Sequence, residues 1–183
     1  DVGILANLVL SPFLVSSNNS LASFSSTITQ FVVKDGLYNN PSLTELDLRS
    51  FECLQEIDIG NDCFQSVVSV RIVSLKQLVR VTIGDNCFDG SGNPQKCESW
   101  AFQLKSCPKL LELKIGNDSF CNYSICQIED MSSLALITIG DDMNELGCFR
   151  YSSLELMGRV LSRVIMTRHA SITFSFDREK RVL

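Results

Sequence analysis

The chain has 183 residues, 45% of them apolar and 20% charged, which is enough apolar side chain to bury a core and too little charge for a disordered polymer. A net charge of -5 and an isoelectric point near 4.9 argue against nucleic acid or an anionic membrane surface as partner. The exception is the far end, where Arg159, Arg163, Arg168, Arg178, Lys180 and Arg181 face only Asp177 and Glu179, a basic tail that reads as a solvated terminal segment or as a contact for an acidic partner.

The first residue is Asp1, which predicts a processed chain or a fragment of a longer array, and we favour the fragment. The apolar run from Ile4 to Leu10 has no bases before it and no small-residue cleavage pattern after it, so it reads neither as a signal peptide nor as a membrane span. Leu5, Leu8 and Leu10 fit a worn first copy of the pattern that follows, and Ser16 to Ser26 is polar. Residues 1–27 are therefore expected to be a worn N-terminal repeat or a loop.

From residue 28 to 156 the sequence repeats. Ile59-Gly60-Asn61-Asp62-Cys63-Phe64 recurs as Ile83-Gly84-Asp85-Asn86-Cys87-Phe88, as Ile115-Gly116-Asn117-Asp118-Ser119-Phe120, and in decayed form from Ile139-Gly140-Asp141-Asp142, at steps of 24, 32 and 24 residues. Five positions before each isoleucine stands Leu54, Leu78, Leu110 or Leu134, and two before it Ile57, Val81, Leu113 or Ile137. Alternating apolar residues that end at a glycine predict a short strand running into a turn.

A second strand precedes the first in every repeat, with Leu43, Leu46 and Leu48, then Val67, Val70 and Ile72, then Phe102 and Leu104, then Tyr123, Cys126 and Ile128 inward. Tyr151, Leu154 and Leu156 continue this set, and Ile28, Phe31 and Val33 are assigned to it upstream. One repeat of two strands cannot bury its apolar side alone. Stacking neighbours turns equivalent residues into continuous columns, with parallel strands about 4.8 Å apart. Ile59, Ile83, Ile115 and Ile139 should form one column, and Phe64, Phe88 and Phe120 another.

The 32-residue step carries an insertion near residues 89–99, rich in Gly, Ser, Asn and Pro and followed by Trp100, the single tryptophan. It predicts a projecting loop. Trp100 either packs beneath that loop or borders a partner site with Lys96. Beyond Leu156 the period is lost. Leu156 to Thr167 fits a short helix, Ile172, Phe174 and Phe176 alternate like a last strand, and residues 157–183 are expected to be a C-terminal cap or basic tail.

The L-x-x-L-x-L pattern with its spaced apolar residues resembles the leucine-rich repeat family, and the I-G-x-x-x-F element resembles the repeats of BspA-like surface proteins and of protist arrays. The resemblance covers residues 28 to 156. It implies a mainly β, right-handed parallel solenoid of about five coils, each of about 24 residues with two short strands, and the family's usual role of binding other macromolecules.

Signals for chemistry are weak beside this. Cys63, Cys87, Cys107 and Cys126 fall at inward repeat positions, as small buried residues do, and a Cys63–Cys87 bridge is conceivable because the stacking brings that column close. With no C-x-x-C pair and a single histidine, His169, no metal is expected. Asp62, Asp85, Asp118 and Asp141 after the glycines fit turn chemistry, with a calcium ladder as the less economical reading. No nucleophile, phosphate-loop or zinc-protease motif is present, so no catalytic residue and no cofactor are assigned. Asn18, Asn117 and Asn122 head glycosylation sequons that matter only in a secreted protein.

The expected outward positions give a stripe of Asp58, Thr82, Lys114 and Thr138 beside Glu56, Arg80 and Glu112. Trp100, Lys96, Asp58, Arg80 and Lys114 are thus the candidate partner-binding residues of a non-catalytic scaffold for a protein partner. The alternatives are a surface, adhesive or spacer array, and a regulatory array attached to an enzyme domain outside the chain.

Overall fold

The computed structural model describes residues 13–15, 25–90, 99–140, 147–149, 152–157, 163–166 and 172–173. These form β1 (Phe13–Val15), β2 (Gln30–Val33), β3 (Glu45–Asp47), β4 (Glu56–Ile59), β5 (Ser69–Val73), β6 (Arg80–Ile83), β7 (Ala101–Lys105), β8 (Glu112–Ile115), β9 (Ile125–Glu129), β10 (Leu136–Ile139), β11 (Ser153–Met157), β12 (Arg163–Met166) and β13 (Ile172–Thr173). The fold is mainly β, and no helix occurs among the described residues. None there is accordingly long and apolar enough to cross a membrane.

The strands make two parallel sheets. One runs β1-β2-β4-β6-β8-β10-β12 and the other β3-β5-β7-β9-β11-β13. From β2 onward the chain visits the sheets in turn, so the crossover that parallel pairing requires is a strand of the opposite sheet rather than a helix. Pairing is in register with the repeat. Ile57, Val81, Leu113 and Ile137 are successive partners, as are Ile59, Ile83, Ile115 and Ile139. All eight side chains are buried, each contributing roughly 1.5–3 kcal/mol against the exposed state.

Two sequence-based assignments change. The spacing groups Ile28, Phe31 and Val33 with the second strand set, but Phe31 and Val33 pair with Ile57 and Ile59 in the first sheet. Both strand sets share one φ-x-x-φ-x-φ spacing, so spacing alone cannot separate them. The better marker lies five residues on, where Tyr38 stacks on Phe64. The helix expected over 156–167 is replaced by two strands. β11 ends at Met157, and Arg163–Met166 pairs along the whole of β10. Pairing there occupies the backbone edge that β10 would otherwise leave open. Of the last expected strand, Ile172 and Thr173 pair with β11, while Phe174, Phe176 and, of the basic tail, Arg159, Arg168, Arg178, Lys180 and Arg181 lie outside the described residues, as does the run from Ile4 to Leu10.

The I-G-x-x-x-F element now has a physical cause at each end. A Cβ added at Gly84 would sit 2.5 Å from Asn61 Oδ1 and 2.7 Å from the Gly60 carbonyl oxygen, so close stacking of corners, and not backbone conformation, demands glycine there. Gly60 and Gly116 meet the preceding corner in the same way. At the other end, Tyr38, Phe64, Phe88, Phe120 and Phe149 all have positive φ, between 51° and 60°. That conformation is unfavourable for a bulky residue by about 1–3 kcal/mol. Burial and stacking offset it, since the five rings form one column with centroids 4.9, 5.1, 4.8 and 5.0 Å apart and planes within 7° of parallel.

Phe88→Ala should therefore lower the unfolding free energy by about 3–5 kcal/mol, and Gly84→Ala by about 1–3 kcal/mol through overpacking. Urea denaturation followed by circular dichroism measures both, and near-native midpoints would contradict the stacked corner.

Candidate functional site

The two sheets divide the predicted site residues into three situations. Asp58, Arg80 and Lys114 lie on β4, β6 and β8 with exposed side chains, on the outward side of the alternation that buries Ile57, Val81 and Leu113. Asp58, Thr82, Lys114 and Thr138 are successive register partners. Trp100 is buried, at 2% exposure. Lys96 and residues 91–98 of the insertion lie outside the described residues.

On the outward face one column is an ion ladder. Arg80 bonds Glu56 at 2.9 Å and Glu112 at 3.3 Å, and Gln30 donates to Glu56 at 3.0 Å. These carboxylates hold the exposed guanidinium above its ordinary pKa, the Glu56 bond first. Such exposed pairs are worth little singly, about 0–1 kcal/mol, but they fix the direction of three long side chains across three strands. The other sheet carries comparable links, Arg71 to Glu45 and Lys105 to Glu129 at 3.2 Å.

Trp100 packs in the core against Gly90, at the start of the insertion. Its ring covers Gly90 so closely that no Cβ fits there, and it meets Tyr123 edge-on at 6.0 Å. Tyr123 Oη donates to the Val67 carbonyl at 2.7 Å, reaching past the repeat that the insertion interrupts. Asn122 donates its amide to the Asp89 carbonyl. The sequon at Asn122 is thus tied into the loop base, and that at Asn117 ends in the buried Ser119.

The corner residues are consumed by bonds along the stack. The backbone N–H of Asn61 donates to Asp35 Oδ1 at 2.7 Å, that of Asp85 to Asn61 Oδ1 at 2.8 Å, and that of Asn117 to Asp85 Oδ1 at 2.7 Å. Asp62, Asn86 and Asp118 are the positive-φ residues of the turns. No cluster of three or more metal-ligating side chains occurs among the described residues.

The cysteines do more than fill space. Cys63 donates to the carbonyl of Lys34 at 3.2 Å, Cys87 to that of Gly60 at 3.0 Å and Cys148 to that of Gly116 at 2.9 Å. Ser119 makes the same bond to Gly84 at 2.8 Å. This repeat position therefore selects a small side chain with one proton to donate to the corner carbonyl of the preceding repeat. Cys63 and Cys87 are both free thiols. Sequence reading missed the donor role, although the Ser119 substitution signals it. It also missed Leu111, 50% exposed, and a groove of about 480 Å³ lined by Arg49, Glu52, Cys53, Ser74, Lys76 and Gln77.

Burial pushes the Cys107 thiol up to about 11 and the Cys148 thiol to about 12, from an ordinary 9.0, and raises Cys126 and Tyr123 as well. The folded state holds these protons more tightly than the unfolded chain does. Their stabilisation is complete below about pH 9 and is lost as pH rises through the folded values near 11 and 12. Melting temperature should fall between pH 9 and 11, with a shallower fall for Cys107→Val; an identical slope would count against burial of this thiol as the cause. No family model matches the chain, and neither curated proteins nor solved structures give a significant match.

Proposed function

We propose that the chain is a right-handed leucine-rich-repeat solenoid, of about 24-residue coils, that serves as a non-catalytic scaffold for protein–protein interaction. The observation that carries this reading is the outward face of the first sheet. There Asp58, Thr82, Lys114 and Thr138 stand in register on adjacent strands, held on a core whose own side chains are committed to stacking. An outward face of mixed charge on a parallel sheet suits a macromolecular partner better than a small substrate, which is ordinarily enclosed in a concave, mostly apolar site. The repeat spacing supports the leucine-rich-repeat reading, since each unit uses its recurring apolar positions to bury its neighbour.

The test is capture of partners by the intact chain and by the double variant Asp58→Lys, Lys114→Glu. Both positions are exposed, so the change in folding stability should stay within about 0.5 kcal/mol. Capture of face-binding partners should drop at least about tenfold, as charge mismatch at an interface does. Undiminished capture by the folded variant would move the interaction off this face.

A further inference from the structure

The outward face of the first sheet has a symmetry that its sequence conceals. Three columns cross β4, β6, β8 and β10. At the strand starts they read Gln55, Val79, Leu111, Ala135; next Glu56, Arg80, Glu112, Leu136; then Asp58, Thr82, Lys114, Thr138. Leu111 is the most exposed large apolar residue among the described residues, and it adjoins Val79, whose carbonyl accepts its N–H at 2.9 Å.

We propose that this face binds a second copy of the same chain, about a two-fold axis that runs parallel to the strands between β6 and β8. This names the partner for the face used by the scaffold reading and rests on that reading. Under such an axis a residue of β6 meets one of β8 in the other copy, and β4 meets β10. Val79 then lies over Leu111 of the second copy, and Arg80 over its Glu112. Thr82 faces Lys114, and Asp58 faces Thr138. Each contact occurs twice, and none sets like charges together.

Charge and Leu111 together set the position of the axis, because an axis between β4 and β6 would also pair Arg80 with Glu56 of the second copy but would lay Leu111 over Thr29 instead of Val79. Centring it on β6 would place Arg80 over Arg80 and Glu56 over Glu112, which is repulsive. Between β6 and β8 the Glu56–Arg80–Glu112 ladder instead sets its base against the acid of the second copy. Among the described residues Asp58 and Lys114 have no ion pair of their own, so both remain available for the hydroxyls opposite. The exposed Leu111 gains apolar cover at the same time.

The four strands β4, β6, β8 and β10 at about 4.8 Å and roughly 20 Å of strand and rim give a footprint of roughly 400 Å² per copy. That is below the ~800 Å² per partner of a standard stable complex, so the dimer is reversible and concentration-dependent.

Sedimentation equilibrium tests this with the protein alone. The wild-type mass should rise from 20.4 kDa toward twice that value with concentration. Arg80→Glu and Glu112→Arg should each associate at least about tenfold more weakly, because each alone sets like charges across the axis. An equimolar mixture of the two should regain association, since both cross-axis pairs become opposite in sign. Circular dichroism checks that each variant is folded, and Leu111→Asp should be monomeric without touching the ladder. A wild type that stays at 20.4 kDa, a Leu111→Asp that dimerises, or a mixture that stays monomeric overturns the proposal. A monomeric wild type leaves the scaffold reading intact, because that reading fails only in the capture experiment.

Discussion

Everything in this structure follows from stacking equivalent side chains one strand spacing apart. Parallel strands in register leave about 4.8 Å between neighbouring repeats, and each repeat position must offer a side chain that tolerates its own kind at that distance. Aliphatic residues meet the condition along the strands. Aromatic rings meet it at the corner by stacking flat, as the column from Tyr38 to Phe149 does. Glycine meets it where the preceding corner leaves no volume for a Cβ.

The same spacing settles the fate of the polar groups. A corner carbonyl partly covered by the next repeat is satisfied by a donor from that repeat. Cys63, Cys87, Ser119 and Cys148 supply one from the repeat that follows. Asp35, Asn61 and Asp85 accept backbone N–H groups in the same direction. Thiols and carboxylates that resemble reactive groups in one repeat are, in the stack, links between repeats. Burial raises the thiols of Cys107 and Cys148 and keeps them protonated at neutral pH. Polar side chains free to meet another molecule remain on the outward faces.

The stack continues in register across the 32-residue step, with β5 paired to β7 and β6 to β8, and aromatic side chains pack beside it. Trp100 fills the space over Gly90, and Tyr123 sends its hydroxyl across to Val67. A long aromatic side chain with a polar tip is suited to bury its ring and still reach such a backbone carbonyl. The sequence leaves a lone tryptophan beside a loop as either a packed residue or a binding anchor, and its burial here shows that its large apolar area closes the core.

The repeat itself was legible in the sequence. Two strands per unit, the buried columns of Ile59 and Leu54, the turn role of Asp62 and the outward stripe through Asp58 and Lys114 all follow from spacing, because periodicity records which side chains face inward. The sheet to which Phe31 and Val33 belong did not follow, since both strand sets share one spacing and only pairing with Ile57 and Ile59 separates them. Nor did the strand at Arg163–Met166, where a helical pattern gave way to the open edge of β10. The burial of Trp100, the proton-donating role of Cys63 and Cys87, and the alignment of Val79 and Arg80 beside Leu111 and Glu112 were decided by tertiary structure alone. Each depends on what the neighbouring repeat places a few ångströms away, and one repeat read along the chain does not contain its neighbour.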